Sequence, residues 1–339
     1  MTAKPLCLYL AAGSVALLAA TTCIAQINEE INARGDAYTL EGSWFRLPPG
    51  RRIGNTAGLT IDNDGVSVWV YDACGGTTCV GSLLDPILKF GPDGDLETSF
   101  GAGLIVRPHA IHVDPDGNVW VTDRLGGEAG AEGRGHQVHK LSPEGELLMS
   151  LGTAGVAGDG PNEFNAPSAV LVAPTGDIFV GDGHGPGTNA RIVKLSPDGV
   201  FIKEWGGRGT APGQFATPHS LAMDSRGRLF VADRENSRLQ IFDQEGNFLD
   251  EWFQFGRPSG VYIDSNDVLY VADSESDNDN VATDWKEGIR IGDAATGRVF
   301  AFIADHDANG SQEGVAADDN GVVYTSLTRD MALRRYFPR

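Results

Sequence analysis

The sequence predicts an all-β fold, a six-bladed β-propeller whose last blade is completed by a strand from near the N-terminus. A short pattern recurs six times, and its starts lie 52, 59, 51, 40 and 54 residues apart, intervals that suit one four-stranded blade per repeat. The 45 glycines and the frequent Asp-Gly and Asn-Gly turns are typical of short β-hairpins. Six blades account for residues 44–339, so we predict a single folded domain.

The first position of the repeat alternates between metal-ligand residues and small ones. The six copies begin at Ala57, His109, Ser168, His219, Ser259 and Glu313. In a closed ring of six blades, His109, His219 and Glu313 come from alternate blades, about 120° apart, and face one axis. Because the first strand of a propeller blade lines the central channel, the pattern predicts a metal site at the mouth of that channel.

Each repeat contains the strands of one blade. In the fourth copy, apolar runs bounded by Gly or Asp predict strands over residues 219–223, 228–232, 239–242 and 248–253. The last copy provides only three strands, at 314–317, 322–326 and 333–337. The apolar segment 44–47 precedes the first repeat. We expect it to supply the missing fourth strand, since joining the two termini in one blade removes an open sheet edge.

Two insertions interrupt the regular repeat. Residues 124–136 are Gly-rich and residues 274–287 are acidic, and each insertion follows the second strand of its blade. We therefore expect both to emerge as loops on the same rim of the propeller, where they are candidates for a lid over the channel mouth.

The N-terminus has the features of an export signal. Lys4 precedes an apolar run over residues 6–20, and small residues precede a cleavage point before Gln26. We therefore predict a signal peptide at 1–25, a linker at 26–43, and a periplasmic or secreted protein.

Two alternatives to a cleaved signal remain open: an uncleaved anchor and a lipid anchor on Cys23. The apolar run is short for a membrane span, and Thr22 is a poor residue before a lipidated cysteine. An exported chain meets an oxidising compartment. Cys74 and Cys79 lie close together in one loop, so we predict a disulfide between them. The alternative, half of a metal site, lacks further cysteine partners.

The formal net charge is −20, with 46 acidic residues against 26 basic ones. This charge argues against binding to nucleic acid or to anionic membrane surfaces. No stretch after the signal is apolar enough to span a bilayer. We expect a monomer that acts on a small molecule or a peptide.

Two imidazoles and one carboxylate form a donor set that suits Zn²⁺ with an open coordination position. Zinc there would polarise a substrate oxygen or lower the pKa of a bound water. Imidazole also suits Fe, Ni and Cu, so the donor set does not single out one metal. The alternative is a channel whose polar residues bind only water. Two histidines in one six-position column favour the metal site, because the chain has only 7 histidines.

Several stretches resemble known families. The sequences Pro108-His-Ala-Ile, Pro218-His-Ser-Leu-Ala and Phe230-Val-Ala-Asp resemble NHL-repeat propellers. Together with Phe179-Val-Gly-Asp-Gly and Arg191-Ile-Val-Lys-Leu-Ser-Pro-Asp-Gly, they resemble the core of peptidyl-α-hydroxyglycine α-amidating lyase from about residue 50 to the C-terminus. NHL motifs occur in many binding scaffolds, whereas the two Pro-His motifs on these blades are more specific.

The resemblance implies zinc held by three histidines, and His109 and His219 match two of them. The third position is Glu313 in this chain, so the donor set would be two imidazoles and one carboxylate. The resemblance also implies a structural calcium bound by two backbone carbonyls and one acid. The matching positions are Leu59, Ile111 and Gly314. Because glycine has no carboxylate, the calcium site is incomplete in this chain.

The resemblance implies catalytic residues as well. An arginine after the Val-Ala-Asp strand matches Arg234, which would stabilise negative charge on the substrate. The alternative is that Arg234 only pairs with acids. The family's catalytic tyrosine falls at His184, where an imidazole would act as a general base unless it is an exposed loop residue. A second arginine of the family falls at Asp72, which is a reversal of charge.

These features lead to three functional hypotheses. The first is an exported metal-dependent lyase of the amidating type, which cleaves a carbinolamide C–N bond with zinc in the channel. The second is a metal-dependent lactonase or related hydrolase on the same propeller. The third is a non-catalytic NHL scaffold that binds a peptide or a polymer at its rim and holds no metal tightly.

Overall fold

Six four-stranded antiparallel sheets make up the fold, one for each sequence repeat. The computed structural model describes residues 31, 37–126, 129–276, 285–305 and 311–339. The predicted six-bladed β-propeller is thereby confirmed. Over these ranges, no helix combines the length and the hydropathy that crossing a bilayer would require.

Blades one to three each contain four consecutive strands. Blade one consists of β2 Thr56–Ile61, β3 Val68–Asp72, β4 Ile87–Phe90 and β5 Leu96–Phe100. Blade two consists of β6 Pro108–Val113, β7 Val119–Asp123, β8 Gln137–Leu141 and β9 Leu147–Leu151. Blade three consists of β10 Pro167–Val172, β11 Ile178–Asp182, β12 Arg191–Leu195 and β13 Phe201–Gly206.

Blades four and five follow the same order, and blade six combines both ends of the chain. Blade four consists of β14 Pro218–Met223, β15 Leu229–Asp233, β16 Arg238–Phe242 and β17 Phe248–Trp252, with a 3₁₀ turn at Arg234–Asn236. Blade five consists of β18 Pro258–Ile263, β19 Val268–Asp273, β20 Gly288–Asp293 and β21 Val299–Ala304. Blade six consists of β22 Gln312–Ala317, β23 Val323–Leu327, β24 Ala332–Pro338 and β1 Tyr38–Gly42.

Every inner strand shifts register against its neighbour near its start. The shift falls at Ala57, Ser168, His219, Ser259 and Glu313, and across His109 and Ala110 in blade two. A β-bulge leaves a residue out of the hydrogen-bonded ladder and re-aims its side chain. The first position of each sequence repeat is therefore the bulged residue of its blade, at the mouth of the channel.

The core lies between neighbouring blades. The second strands are buried along all or nearly all of their length, as in Val119–Asp123 and Ile178–Asp182, whereas outer strands such as Tyr38–Gly42 are largely exposed. Between blades two and three, for example, Trp120 and Val180 belong to one apolar cluster. Strands buried on both faces need continuous apolar runs of β-branched and aromatic residues, which is the composition seen in the repeats.

The N-terminal segment closes blade six, but not with the expected residues. The closing strand is β1, Tyr38–Gly42, which pairs antiparallel with β24 and lies within the predicted linker. The prediction of a strand at 44–47 was wrong, because Trp44 is buried between Phe90 of blade one and Tyr324 of blade six. An outer strand has one face in solvent and is polar, whereas the more apolar segment fills the core between the first and last blades.

The connections between second and third strands share one rim, because each second strand runs back to the mouth where the first strand began. The predicted disulfide Cys74–Cys79 is confirmed and lies in this connection of blade one. The insertions at 124–136 and 274–287 occupy the same connections of blades two and five. Residues 127–128 and 277–284 of these insertions, and the predicted signal peptide, lie outside the described residues. The role of the insertions as a lid stays a prediction.

We expect Trp44→Ala to lower the free energy of unfolding by about 3–5 kcal/mol, because it removes a buried aromatic ring from the junction that closes the propeller. The control is Leu40→Ala on β1, where the side chain is 44% exposed, and its effect should stay within about 0.5 kcal/mol. Urea denaturation of the purified variants measures both. Equal effects would place the segment at 44–47 outside the core.

Candidate metal centre

Three side chains from alternate blades meet where the bulges place them. Glu313 Oε1 lies 3.8 Å from His109 Nε2 and 3.2 Å from His219 Nε2. Together with a ring nitrogen of His184, their ligand atoms lie within 4.8 Å of one another. The channel beside them has a volume of about 360 Å³ and is lined by the inner strands of all six blades. The structure thus brings the three predicted ligands to one point.

Backbone carbonyls of the intervening blades orient both histidines. His109 Nδ1 lies 2.6 Å from Ser168 O, and His219 Nδ1 lies 2.7 Å from Ser259 O. A carbonyl oxygen only accepts hydrogen bonds, so each neutral ring carries its proton on Nδ1 and a lone pair on Nε2. Metal-ligating histidines are held in this way, with the second ring nitrogen donating to a carbonyl or carboxylate. Ser168 and Ser259, the small residues at the first position of their repeats, therefore leave room in the channel and also supply the carbonyl oxygens that orient the histidines.

The two Nε2 atoms differ in their partners. Arg234 Nη1 donates to His219 Nε2 at 3.0 Å, which agrees with a lone pair there. That lone pair also faces the Glu313 carboxylate. His109 Nε2 is buried and has no hydrogen-bond partner among the described residues. Because a buried polar atom without a partner is costly, a cation that binds both imidazoles and the carboxylate fits the cluster.

Burial and neighbouring charges set the protonation states. Burial lowers the pKa of His109 well below its usual range, and repulsion by His219 and Arg124 acts in the same direction. Burial and the charge of Arg234 lower the pKa of His219. Burial opposes ionisation of Glu313, yet its pKa lies below the usual range, and the cause that persists beside neutral imidazoles is the positive charge of Arg234. Neutral imidazoles and an ionised carboxylate are the states that metal binding requires.

His184 belongs to the same cluster and is not an exposed loop residue. Its Nε2 lies 3.2 Å from His219 Nε2, and its backbone N–H donates to Thr188 Oγ1 at 2.9 Å. The preceding Gly183 has a φ of 135°, and a Cβ there would lie 1.6 Å from Asn189 O. Only glycine fits that position, so the turn is built to direct His184 toward the channel.

The sequence matches the NHL repeat over residues 215–242 and 255–278, in blades four and five. The chain is an NHL-repeat six-bladed β-propeller. Among solved structures, a gluconolactonase of Xanthomonas campestris superposes with a TM-score of 0.59, covering 91% of this chain and 93% of that one at 16% sequence identity. At that identity, the likeness shows the shared fold alone.

The propeller resembles proteins named for peptide amidation. It is 34% identical over 258 residues to peptidyl-glycine alpha-amidating monooxygenase B of Xenopus laevis, which covers 71% of this chain and 27% of that protein. It is 34% identical over 180 residues to a probable peptidyl-alpha-hydroxyglycine alpha-amidating lyase of Caenorhabditis elegans (52% and 48%). It is also 37% identical over 221 residues to NHL repeat-containing protein 3 of Homo sapiens (63% and 59%). The chain spans less than two thirds of each of these relatives.

Sequence reasoning missed Arg124, a second arginine of the propeller that reaches the cluster. Its Nη1 lies 3.0 Å from His184 Nδ1. Arg124 directly follows the second strand of blade two, as Arg234 follows that of blade four. In the sequence, Arg124 reads as the first residue of a Gly-rich loop. The signal that identifies it is the shared register of an arginine after the strand-ending aspartate.

Asp72 is a structural residue of blade one. It ends the second strand, as aspartates do in blades two to five. Its Oδ1 accepts a hydrogen bond from Gly54 N at 2.6 Å and its Oδ2 accepts one from Gly75 N at 2.9 Å, all in the buried interior. Asp72 thus has a structural role, and its match to a catalytic arginine of the resembled family stays a prediction. The position that follows the strand, where blades two and four carry arginine, is Ala73 here.

We expect Asp72→Asn to destabilise the fold without altering the site, because an amide cannot accept both backbone hydrogen bonds as a carboxylate does. The free energy of unfolding should fall by about 1–3 kcal/mol. The control, Asp93→Asn, changes an exposed carboxylate and should stay within about 0.5 kcal/mol. Urea denaturation measures stability, and elemental analysis of the folded variant measures bound metal. If Asp72→Asn keeps normal stability but loses bound metal, Asp72 contributes to the metal site and its role is not structural.

Proposed function

We propose that this protein is a metal-dependent lyase of the amidating type, which cleaves the C–N bond of a carbinolamide such as a peptidyl-α-hydroxyglycine. The relative named as an amidating lyase supports the reaction class. The observation that carries the proposal is the convergence of His109, His219 and Glu313 from alternate blades, with both imidazole lone pairs directed at one carboxylate.

We propose that these three residues hold a transition metal, with zinc as the first choice. Two nitrogen donors and one oxygen donor leave a coordination position open, as in catalytic zinc sites. Bound there, zinc supplies Lewis acidity toward a substrate oxygen or water. The partnerless His109 Nε2 and the carbonyl-held Nδ1 atoms support this assignment. Iron, nickel and copper accept the same donors, so the metal itself is decided by measurement.

Arg234 is proposed to stabilise negative charge on the substrate. When a carbinolamide is cleaved, its hydroxyl oxygen loses a proton and becomes a carbonyl oxygen, while the departing nitrogen gains a proton. Arg234 is only 7% exposed and lies 3.3 Å from Glu235 and 3.7 Å from Glu275, so its guanidinium is held in place. Charge stabilisation by a fixed cation needs no reorganisation during the reaction. The contacts with acids thus anchor Arg234 beside the cluster.

A metal-dependent lactonase is the second candidate. The observation that favours it is the presence of Glu313 and His184 in the cluster. The resemblance to the lyase family implies a third histidine and a tyrosine at these two positions. Both changes border the position that a substrate would take, and the same donor set can activate water for ester hydrolysis. A scaffold without metal is the third candidate, and the metal measurement below separates it from both enzymes.

We also propose that the protein acts outside the cytosol. The disulfide Cys74–Cys79 joins two buried cysteines in the rim loop of blade one. Structural disulfides persist in oxidising compartments and are rare in the cytosol. This supports the export signal expected from the N-terminal sequence.

The first test is metal content. We expect about one equivalent of a transition metal per wild-type chain and at least a tenfold loss of bound metal in His109→Ala/His219→Ala, because two of three ligands are removed. His139→Ala is the matched control. His139 is also buried, but its Nδ1 is hydrogen-bonded to Ser150 on the outer side of blade two, away from the cluster. Elemental analysis of dialysed protein gives the stoichiometry.

Equal, negligible metal in the wild type and both variants would contradict both enzymatic proposals and favour the scaffold. If metal is present, a panel of hydroxyglycine peptides and lactones separates the remaining two. Turnover of the peptides alone supports the lyase, and turnover of the lactones alone overturns it.

The second test concerns Arg234. We expect Arg234→Gln to lower kcat/KM by about 10²–10³-fold with bound metal unchanged, because it removes a preorganised positive charge from the reacting oxygen. Arg228→Gln is the control on the same blade, where Arg228 pairs with Asp224 at the opposite end of the strand. Steady-state kinetics on the substrate found above measures both. An unchanged kcat/KM in Arg234→Gln would show that Arg234 only forms ion pairs with nearby acidic residues and does not act on the substrate.

A further inference from the structure

The ring nitrogens of His184 have different partners from those of the two other histidines. Where His109 and His219 place Nδ1 against a carbonyl oxygen, His184 places Nδ1 3.0 Å from Arg124 Nη1. A guanidinium has donors and no acceptor. His184 Nδ1 must therefore accept, and a neutral His184 ring carries its single proton on Nε2. Its tautomer is the opposite of that of His109 and His219.

This difference divides the four-residue cluster. Distance alone does not, since His184 Nε2 and Glu313 Oε1 both lie 3.2 Å from His219 Nε2. The direction of the hydrogen bonds distinguishes them. His109, His219 and Glu313 present lone pairs to the centre of the cluster, whereas His184 presents an N–H. A ring nitrogen that carries a proton cannot ligate a cation.

The surroundings of His184 hold the loop that carries it, and the Arg124 contact favours one orientation of the ring. Thr188 Oγ1 accepts from the His184 backbone N–H, and Arg208 Nη2 donates to the carbonyl oxygens of Gly185 and Thr188 at 2.9 and 3.1 Å. A half-turn of the ring would replace Nδ1 with a carbon and leave the Arg124 contact without an acceptor. Because an unmatched donor in a part-buried site is costly, the observed orientation is preferred.

We propose that Arg124 is a positioning residue that holds His184 in the Nε2–H tautomer, so that His184 donates a hydrogen bond to a substrate oxygen. His184 is then neither a fourth metal ligand nor the general base expected from the sequence. The inference deepens the function proposed above and rests on it for the identity of the accepting oxygen. A neutral imidazole can polarise an oxygen in this way while keeping its proton, so no proton is transferred.

The first experiment needs neither metal nor substrate. Long-range ¹H–¹⁵N NMR of histidine side chains in the metal-free protein distinguishes Nδ1–H from Nε2–H rings, and His184→Ala assigns the signals. We expect Nε2–H for His184, and Nδ1–H for His109 and His219. In Arg124→Gln, the His184 signals should move toward a mixture of tautomers, while Arg298→Gln, an exposed control, leaves them unchanged. An Nδ1–H ring at His184 in the wild type would overturn the proposal.

The second experiment counts ligands. X-ray absorption of the metal-loaded wild type should show two imidazoles, and His184→Ala should bind metal within about threefold of wild-type affinity, because no ligand is lost. Three imidazoles, or a loss of metal in His184→Ala as large as in His219→Ala, would make His184 a ligand and overturn the proposal.

The third experiment uses rescue. Glutamine offers an N–H donor but no base, so His184→Gln should recover about tenfold in kcat/KM over His184→Ala, and Arg124→Lys should retain more activity than Arg124→Gln. If kcat/KM in His184→Gln is no higher than in His184→Ala, His184 acts as a general base and the proposal is overturned. A protein without any bound metal would defeat the proposed function, yet the tautomer measurement would still decide the role of Arg124.

Discussion

The channel mouth depends on one backbone irregularity that is repeated in every blade. A bulge near the start of each inner strand takes one residue out of the ladder and points it to the centre of the ring. The bulges also bring neighbouring strands very close. A Cβ on Gly260 would lie 2.3 Å from Glu313 O, so blade five needs glycine where blade six presents Glu313. The convergence of the column residues therefore depends first on the backbone, and only then on the identity of the side chains.

The second determinant is the direction of hydrogen bonds around the cluster. Ser168 and Ser259 keep their own hydroxyls turned away, toward Pro218 O and Ser274 Oγ, and offer only carbonyl oxygens to the neighbouring histidines. Arg124 offers only donors to His184. Four residues at similar distances thus separate into three lone-pair donors and one proton donor. The group that contacts Nδ1 of each ring, a carbonyl oxygen or a guanidinium, determines whether the ring presents a lone pair or an N–H to the channel.

The aspartates that end the second strands link the fold to the site. Asp233 accepts from Ala216 N and from Arg238 Nε, and Asp123 accepts from the backbone N–H of Val106 and Arg107. Each aspartate ties the entry of its blade to the end of the second strand, where the chain turns at the channel mouth. The next residue is thereby held at the rim. In blades two and four that residue is an arginine, which explains why both arginines reach the cluster.

The repeat pattern in the sequence determined the number of blades, the strand order within a blade and the identity of three residues that converge. It could do so because the spacing of apolar runs and the first position of each repeat are read from local sequence. Once the ring of blades closes, equivalent positions of the six repeats all face the central axis. The pattern of cysteines likewise predicted the rim disulfide. Apolar content misplaced the closing strand, since Trp44 and its neighbours fill a core that exists only once the first and last blades meet.

Tertiary structure alone decided which group stands behind each imidazole. Ser168 O faces His109 from 59 positions away, and Arg124 faces His184 from 60 positions away. Those partners come from neighbouring blades, so no local pattern contains them. The sequence thus predicted that His109, His219 and Glu313 meet. The packing of blade against blade brought Arg124 to them and decided which ring carries a proton toward the channel.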